Sequence, residues 1–192
     1  MSMTAGRRII TSSCDWCTPP KYITAIQNVF CDGVSLDPCS NPHSLVNAET
    51  NYMLPEKDGL VEPWSGFRNI FVNPPYGRDK KTGKSIYHWL ERCAATKNSN
   101  IMALIPVATN TRHWKYFVFG CADSICFLSD TRLKFYLNGV EYIRGAPMAC
   151  AMVYWGKEYL ERFNAEFSRY GNIVMHCFVD KVEDRNHVPA QS

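Results

Sequence analysis

The sequence predicts an α/β fold with a mostly parallel central sheet flanked by helices. Two short apolar runs, 69–72 and 101–107, have the length and composition of strands that are buried on both faces. Between them, residues 85–95 place apolar side chains at the spacing of one helix face. The turn-forming segment 73–77 follows the first run directly, as expected where a strand ends. Ligands of such sheets bind beyond the carboxyl ends of the strands, so a binding site is expected at this edge.

The same patterns assign the rest of the chain. Further strands are predicted at 34–36, 51–54, 124–128, 148–155 and 173–179. Further helices are predicted at 111–119, at 157–170 and in a segment that opens at Pro19, with Thr18 as its N-cap. A chain of 192 residues, 46% of them hydrophobic, can bury the core of one compact domain. We expect this domain at 14–180, a loosely ordered segment at 1–13 and a tail at 181–192.

The charge and the hydropathy of the sequence limit the classes of protein to which the chain can belong. The formal net charge is +3, which permits a polyanionic partner but does not by itself indicate one. No run of 18 apolar residues occurs, so no membrane span is expected. Residues 1–11 contain two arginines without an apolar run behind them, which does not fit a signal peptide. A cytoplasmic protein is therefore expected.

The cysteine pattern favours free thiols over a metal site. Cys14 and Cys17 have the spacing of a zinc-binding pair, but Cys31 and Cys39 do not form the second close pair that a zinc site needs. We therefore predict no metal. The cysteines in apolar stretches, which we expect to pack as small hydrophobic residues, are Cys93, Cys126, Cys150 and Cys177.

The segment Asn73-Pro74-Pro75-Tyr76 has the residue types needed to hold an amino group. The two prolines stiffen the backbone, and the Asn73 side-chain carbonyl and the Pro74 backbone carbonyl can both accept hydrogen bonds from one NH₂ group. Such acceptors stabilise the positive charge that grows on an aromatic amine during attack. Tyr76 can stack on the ring that carries the amine. A simple turn after a strand is the alternative interpretation of this short motif.

A second motif lies at the end of the strand predicted at 34–36, where Pro38 and Cys39 follow Asp37. A carboxylate at this edge can accept hydrogen bonds from an ammonium group or ribose hydroxyls. Residues 40–43 replace the glycine-rich loop that a dinucleotide pyrophosphate requires, which disfavours such a cofactor. Pro38-Cys39 also fits a cysteine nucleophile that attacks a pyrimidine carbon. Its place at the first strand end, where a cofactor is expected, while the Asn73 motif occupies the strand assigned to catalysis, makes this chemistry the less favoured one.

Several motifs follow one another in a fixed order from Asp15 to Gly156. They are Trp16-Cys17-Thr18-Pro19, Leu36-Asp37-Pro38-Cys39, Asp58-Gly59-Leu60 with Trp64, Phe71-Val72-Asn73-Pro74-Pro75-Tyr76-Gly77, Leu104-Ile105-Pro106 with Thr109 and Trp114, Arg132-Leu133-Lys134-Phe135 and Gly145-Ala146-Pro147. In this ordered set the sequence resembles the phage-type DNA N-6-adenine methyltransferases, the Dam-like family. The resemblance implies a single-domain Rossmann-like fold and methyl transfer from S-adenosylmethionine to the N6 amino group of adenine in duplex DNA. It also implies a bacterial or phage-infected cell and a link to restriction–modification.

The resemblance assigns roles to individual residues. It places Asn73, Pro74, Pro75 and Tyr76 in the catalytic loop. The residues that it assigns to S-adenosylmethionine are Trp16, Thr18, Pro19, Asp37, Pro38, Asp58 and Asn73. Taken alone, Trp16 is as consistent with a core position and Thr18 with a helix cap.

The basic residues near these motifs are candidates for contacts with DNA phosphates. They are Arg78, Lys80, Lys81, Lys84, Arg112 and Arg132. An amine inside a duplex is out of reach, so the target base must be flipped out. An ordinary solvated loop is the alternative for residues 78–84, and the sequence does not indicate an oligomeric state.

Three other functions stay open at this stage. Cytosine N4 is an exocyclic amine like adenine N6, and Asn before Pro-Pro-Tyr favours adenine by resemblance only. The same motif occurs in enzymes that methylate glutamine side chains in proteins. A non-catalytic DNA-binding module that retains the fold is the third alternative, and the intact Asn73, Tyr76 and Asp37 argue against it.

Overall fold

A computed structural model describes residues 16–79, 81–130, 133–137, 140–142, 146 and 148–175, except for the side chain of Leu137. In chain order its elements are β1 (Trp16–Cys17), α1 (Pro20–Val29), β2 (Leu36–Asp37), β3 (Thr50–Asn51), β4 (Asn69–Val72), α2 (Ile86–Ala95), β5 (Asn100–Pro106), a π-helix (Trp114–Val118), β6 (Ser124–Leu128), β7 (Tyr136–Leu137), β8 (Val140–Glu141), β9 (Cys150–Trp155), α3 (Leu160–Phe167) and β10 (Gly171–Met175). The expected terminal segments, Cys14 and Cys177 lie outside the described residues.

The larger sheet is mixed, with the strand order β10-β6-β9-β5-β4-β2-β3. The pairings β2–β3, β2–β4 and β4–β5 are parallel. The pairings β5–β9, β6–β9 and β6–β10 are antiparallel. The prediction of a mostly parallel sheet is therefore wrong in this half of the sheet. A strand buried on both faces shows the same apolar run in either direction, so the sequence of β9 could not reveal that it returns between β5 and β6.

Two cores lie on opposite faces of the larger sheet. Along β5, Met102 and Leu104 belong to one core, which contains the buried faces of α1 and α3. Ile101, Ala103 and Ile105 belong to the other core, with α2 and the π-helix. This alternation follows from the two-residue period of a strand, and it confirms the prediction that β5 is buried on both faces.

Local sequence sets the helix boundaries, with some departures from the predicted ones. Helix α1 begins at Pro20, and the Pro19 carbonyl accepts hydrogen bonds from the Tyr22 and Ile23 amides. The prediction of Thr18 as N-cap is wrong, because a proline in the first turn moves the cap to Pro19. Helix α2 begins at Ile86, one residue after the predicted start, because Ser85 is its N-cap. Helix α3 covers only the middle of the predicted 157–170. The helix predicted at 111–119 is a π-helix over Trp114–Val118.

A small antiparallel sheet has the strand order β1-β7-β8. Trp16 pairs with Leu137, and Tyr136 pairs with Glu141. These strands were not predicted, because two-residue strands carry no readable alternation. They bring residues 16–17 next to residues 136–141, which are more than 100 positions further along the chain.

Within the part of the chain that the structure describes, no helix is long and apolar enough to cross a membrane. The described residues also contain no group of three or more His, Cys, Asp or Glu side chains able to hold a metal ion. Cys93, Cys126 and Cys150 are buried, as expected from their apolar surroundings.

Candidate active site

The ends of strands β2 and β4 bring the two sequence motifs together. The strands are parallel and adjacent, and Leu36 pairs with Ile70. Cys39 and Asn73 each come three residues after this pair, just beyond the ends of their strands. They therefore lie level with each other. The Asn73 backbone amide donates a hydrogen bond to the Cys39 thiol. The prediction that Asp37 and Asn73 share one edge of the sheet is confirmed.

Asp37 is a buried carboxylate at this edge, with 4% of its surface exposed. Its Oδ1 accepts a hydrogen bond from the Cys39 amide at 3.1 Å, and its Oδ2 accepts one from the Ser44 hydroxyl at 3.2 Å. Burial raises the pKa of Asp37 from 3.8 to about 6, and these hydrogen bonds oppose that rise. The side chain is therefore ionised at neutral pH in spite of its burial.

The Asp58 loop is packed directly against the same strand end. Gly59 approaches the Pro38 carbonyl so closely that a Cβ atom built on Gly59 would lie 1.7 Å from that oxygen. Only glycine fits such an approach. Asp58 accepts hydrogen bonds from the Leu60 amide at 2.9 Å and from the Lys84 ammonium at 2.8 Å. Partial burial raises the pKa of Asp58, but the bonds from Lys84 and Leu60 outweigh it and hold the pKa below 3.8.

Asn73 is oriented by the small sheet. Its Nδ2 donates a hydrogen bond to the Trp16 carbonyl in β1 at 3.3 Å. This bond occupies the donor end of the amide, and no donor from the described residues is bound to Asn73 Oδ1 or to the Pro74 carbonyl. Both acceptor oxygens therefore have no bound donor among the described residues. Asn73 is half-buried, Pro74 is buried and Pro75 is exposed.

Tyr76 of this loop and three other aromatic side chains contact one another and form what we call the aromatic cluster. Its members are Trp16, Tyr76, Phe135 and Tyr142. The Trp16 ring packs edge-on against Tyr142 and Phe135, with centroid distances of 4.9 and 6.3 Å. Tyr76 packs edge-on against Phe135 at 5.8 Å, and its hydroxyl donates a hydrogen bond to the Leu104 carbonyl at 3.3 Å. Burial raises the pKa of Tyr76, so the phenol stays neutral.

Residues 17–19 link β1 to the loop that follows Asp37. The Cys17 thiol donates hydrogen bonds to Asn41 Oδ1 at 3.5 Å and to the His43 carbonyl at 3.3 Å. Thr18 and Pro19 are both buried behind it. The structure thus places every residue that the sequence assigned to the methyl donor on the β1 segment, the Asp37 strand end, the Asp58 loop or the Asn73 loop.

The residues predicted to bind DNA differ from one another in their exposure and in their ion pairing. Arg78 and Lys81 are exposed in a tight turn in which Asp79 Oδ1 accepts hydrogen bonds from the Lys81 and Thr82 amides. Lys84 is instead paired with Asp58 and links this turn to the site. Arg112 is exposed at the start of the π-helix segment. Lys80 and Arg132 lie outside the described residues.

Three side chains that contact the candidate site residues are not predicted as site residues from the sequence. Ser44 lies in a polar loop directly after the Asp37 strand, which was the available signal for it. Phe135 was recognised only as part of a motif, and Tyr142 carried no signal, because their role depends on long-range pairing in the small sheet. The Lys84–Asp58 pair joins two segments far apart in sequence, so neither segment indicates it.

The fold and this edge define a class of protein: an α/β protein in which a buried carboxylate and an Asn-Pro-Pro-Tyr loop meet at the ends of adjacent parallel strands. The sequence profile of the family described as DNA N-6-adenine-methyltransferase (Dam) matches residues 10–182, and the chain belongs to this family. This membership confirms the family resemblance of the sequence and indicates an adenine DNA methyltransferase. Searches against curated proteins and against solved structures find no match.

Proposed function

We propose that this chain transfers a methyl group from S-adenosylmethionine to the N6 amino group of adenine in duplex DNA. The observation that best supports this proposal is the hydrogen bonding of the Asn73 side chain. Its Nδ2 is bound to the Trp16 carbonyl, so its Oδ1, like the carbonyl of the next residue Pro74, can act as an acceptor. Family membership supplies the substrate class.

The two acceptors account for the activation of a weak nucleophile. The lone pair of adenine N6 is delocalised into the ring, so the free amine attacks poorly. Hydrogen bonds from its two N–H groups to Asn73 Oδ1 and the Pro74 carbonyl favour a tetrahedral nitrogen. They also stabilise the positive charge that develops on nitrogen as the new C–N bond forms. Direct transfer would need no covalent enzyme intermediate. The bond between the methyl carbon and the sulfur of the donor would break as the C–N bond forms and leave a neutral thioether, and the surplus proton would pass from nitrogen to solvent water.

The aromatic cluster provides a surface for a base removed from the duplex. Tyr76 is half-buried, and its hydroxyl bond to Leu104 together with its contact with Phe135 fixes the ring plane. A fixed ring can hold the flipped adenine in line with the donor. Trp16 contributes to the same cluster through its ring and to Asn73 through its carbonyl.

The acidic residues at this edge fit the methyl donor. S-adenosylmethionine supplies an electrophilic methyl group on a positively charged sulfur, and it carries an ammonium group and ribose hydroxyls. Asp37 and Asp58 are both ionised at neutral pH and offer carboxylate oxygens to such donors. In this proposal Asp37 binds the ammonium or ribose hydroxyls and Asp58, held by Lys84, binds the ribose or the adenine amine.

The exposed cations beyond the catalytic loop supply the contacts to the DNA backbone. Arg78 and Lys81 come directly after Tyr76, and their turn is fixed by Asp79. Phosphates next to a flipped nucleotide lie within a few ångströms of its sugar, so cations placed here are suited to hold them.

The test is to incubate the protein with isotopically labelled S-adenosylmethionine and unmethylated duplex DNA and to digest the DNA to nucleosides for mass spectrometry. Label on N6-methyladenine is expected. Asn73→Ala should lower turnover about 100-fold or more and should lower donor affinity far less, because its contact with the amine strengthens in the transition state. The matched control is Asn172→Ala, at an exposed position on the edge strand β10, which should methylate like the wild type.

The other outcomes separate the alternatives. Label on N4-methylcytosine would retain the mechanism and change the base. Donor binding without labelled DNA would redirect the search to the glutamine side chains of proteins. Absence of both donor binding and label would leave an inert DNA-binding module, and near-normal turnover by Asn73→Ala would remove the role proposed for the catalytic loop.

A further inference from the structure

An open groove lies beyond the end of β5, outside the catalytic loop and the donor-binding residues. Its lining includes Thr109, Arg112, Lys115, Tyr116 and Phe119. Arg112 and Lys115 are exposed, and neither forms an ion pair with a described carboxylate. We call this surface the β5 groove.

The charged side chains in the part of the sequence that forms the β5 groove are all positive. No Asp or Glu occurs in the sequence between Glu91 and Asp123, whereas Arg112 and Lys115 both lie in that interval. No carboxylate from the described part of the chain lines the groove. Such a surface attracts an anionic partner and presents hydroxyl donors to it.

The β5 groove is on the same edge of the sheet as the catalytic loop. Strand β5 runs parallel to β4, and the Tyr76 hydroxyl is bound to the Leu104 carbonyl near the end of β5. Thr109 follows Leu104 by five residues, so their Cα atoms are at most about 17 Å apart. The indole Nε1 of Trp114 donates to the Pro106 carbonyl at 3.0 Å, which fixes the π-helix to this strand end. Thr109 at the groove is therefore at most about five nucleotides of backbone, at about 3.4 Å each, from Leu104, the residue to which the Tyr76 hydroxyl is bound.

An exposed aromatic ring completes the surface. Tyr116 has 51% of its surface exposed although its neighbours Trp114 and Val118 are fully buried. The Lys115 ammonium lies 5.7 Å from the centroid of the Tyr116 ring. Core packing does not account for this ring, whereas an aromatic side chain next to cations is the usual means of holding a nucleotide by stacking.

One aromatic contact joins the π-helix beside the β5 groove to helix α2, which follows the turn at 78–84. Tyr87, in the first turn of α2, packs edge-on against Phe117 of the π-helix with ring centroids 5.0 Å apart. Helix α2 begins immediately after the 78–84 turn. The Tyr87–Phe117 contact therefore holds the two basic surfaces in a fixed relation.

We infer that the β5 groove binds the DNA strand that flanks the target adenine, with Arg112 and Lys115 on phosphates and Tyr116 stacked on a nucleotide ring. This inference rests on the proposed function and extends it by assigning a second contact region. The interaction is independent of base identity at the two cations, because phosphates carry no sequence information.

The test measures the affinity of a fluorescent, mixed-sequence DNA duplex at several salt concentrations. Arg112→Ala combined with Lys115→Ala should reduce the slope of log K against log salt by about 1.8, since each lost phosphate contact reduces it by about 0.9. Lys97→Ala combined with Lys157→Ala is the control. It removes the same charge from exposed positions at the opposite edge, next to the start of β5 and the end of β9, and should leave the slope unchanged.

Tyr116 is tested separately, because stacking does not release counterions. Tyr116→Ala should weaken duplex binding about 5- to 100-fold without changing the salt slope, and Tyr116→Phe should bind like the wild type. A wild-type protein that methylates DNA, together with groove variants that bind it normally, would overturn the inference and leave the proposed function intact. A wild-type protein that neither binds nor methylates duplex DNA would overturn both.

Discussion

Replacement of Asp37 by Asn should stabilise the folded protein at neutral pH and at the same time weaken the binding of the methyl donor. Asp37 is 4% exposed, and its oxygens accept hydrogen bonds from the Cys39 amide and the Ser44 hydroxyl. Asn has the same shape and can keep both contacts, with its carbonyl on the Cys39 amide and its NH₂ group on the Ser44 oxygen. The variant therefore removes the ionisation with little change in packing.

The size and sign of this effect follow from the pKa of Asp37. Burial raises that pKa from 3.8 to about 6, so the folded state binds more protons than the unfolded state between pH 4 and 6. The free energy of unfolding of the wild type therefore falls as the pH rises through this window. The full difference is about 3 kcal/mol. Asp37→Asn does not carry this penalty, so it should exceed the wild type by up to about 3 kcal/mol at pH 7.5 and by little at pH 4.

Urea denaturation of both proteins at pH 4, 6 and 7.5 measures this difference. Carboxylates common to both proteins, including Asp58 with its lowered pKa, cancel in the comparison. Asp79→Asn is the control, because Asp79 is exposed, its pKa is lowered by hydrogen bonds from Thr82, and its loss should not stabilise the protein at pH 7.5. A difference between Asp37→Asn and the wild type that does not depend on pH would refute the reasoning. Titration calorimetry with S-adenosylmethionine would show the accompanying loss of affinity.

Two further predictions concern the Asp58 loop. Gly59→Ala should lower the melting temperature strongly, because its Cβ would overlap the Pro38 carbonyl at 1.7 Å, whereas Gly77→Ala, with nothing within 4 Å, should melt like the wild type. Equal melting temperatures for the two variants would contradict the close approach. Lys84→Met should lower the free energy of unfolding by about 0.5–1 kcal/mol at pH 7 by removing the pair with Asp58. Because Asp58 has a lowered pKa, this stabilisation is present at neutral pH and is lost as the pH falls through that pKa. A loss measured by urea denaturation that is as large at pH 2.5 as at pH 7 would show that the ion pair is not its cause.

The sequence indicated the positions of the main strands well, because their signal is local. The predicted strands at 69–72 and 124–128 agree with β4 and β6 at both ends. Helix α2 and strand β5 agree within one residue. Apolar runs bounded by turn residues mark such elements without any knowledge of what they pack against.

Strand direction and the small sheet could not be predicted in this way. The apolar run of β9 looks the same whether the strand lies parallel or antiparallel to β5, and only the path of the chain decides between them. The strands β1, β7 and β8 are too short for any periodic pattern, and they exist because residues from distant parts of the chain pair with one another.

The residue types of the candidate site could be predicted from the sequence, whereas the contacts between them could not. The sequence by itself determined the residue types: an Asn-Pro-Pro-Tyr loop after one strand, Asp37 after another, and membership of a family of adenine DNA methyltransferases. The tertiary structure decided what those residues touch. It placed the Trp16 carbonyl on Asn73, paired Lys84 with Asp58 and buried Asp37 deeply enough to raise its pKa to about 6. Each of these depends on contacts between segments far apart in the chain, and such contacts arise only when the sheet has assembled and brought the strand ends to one edge.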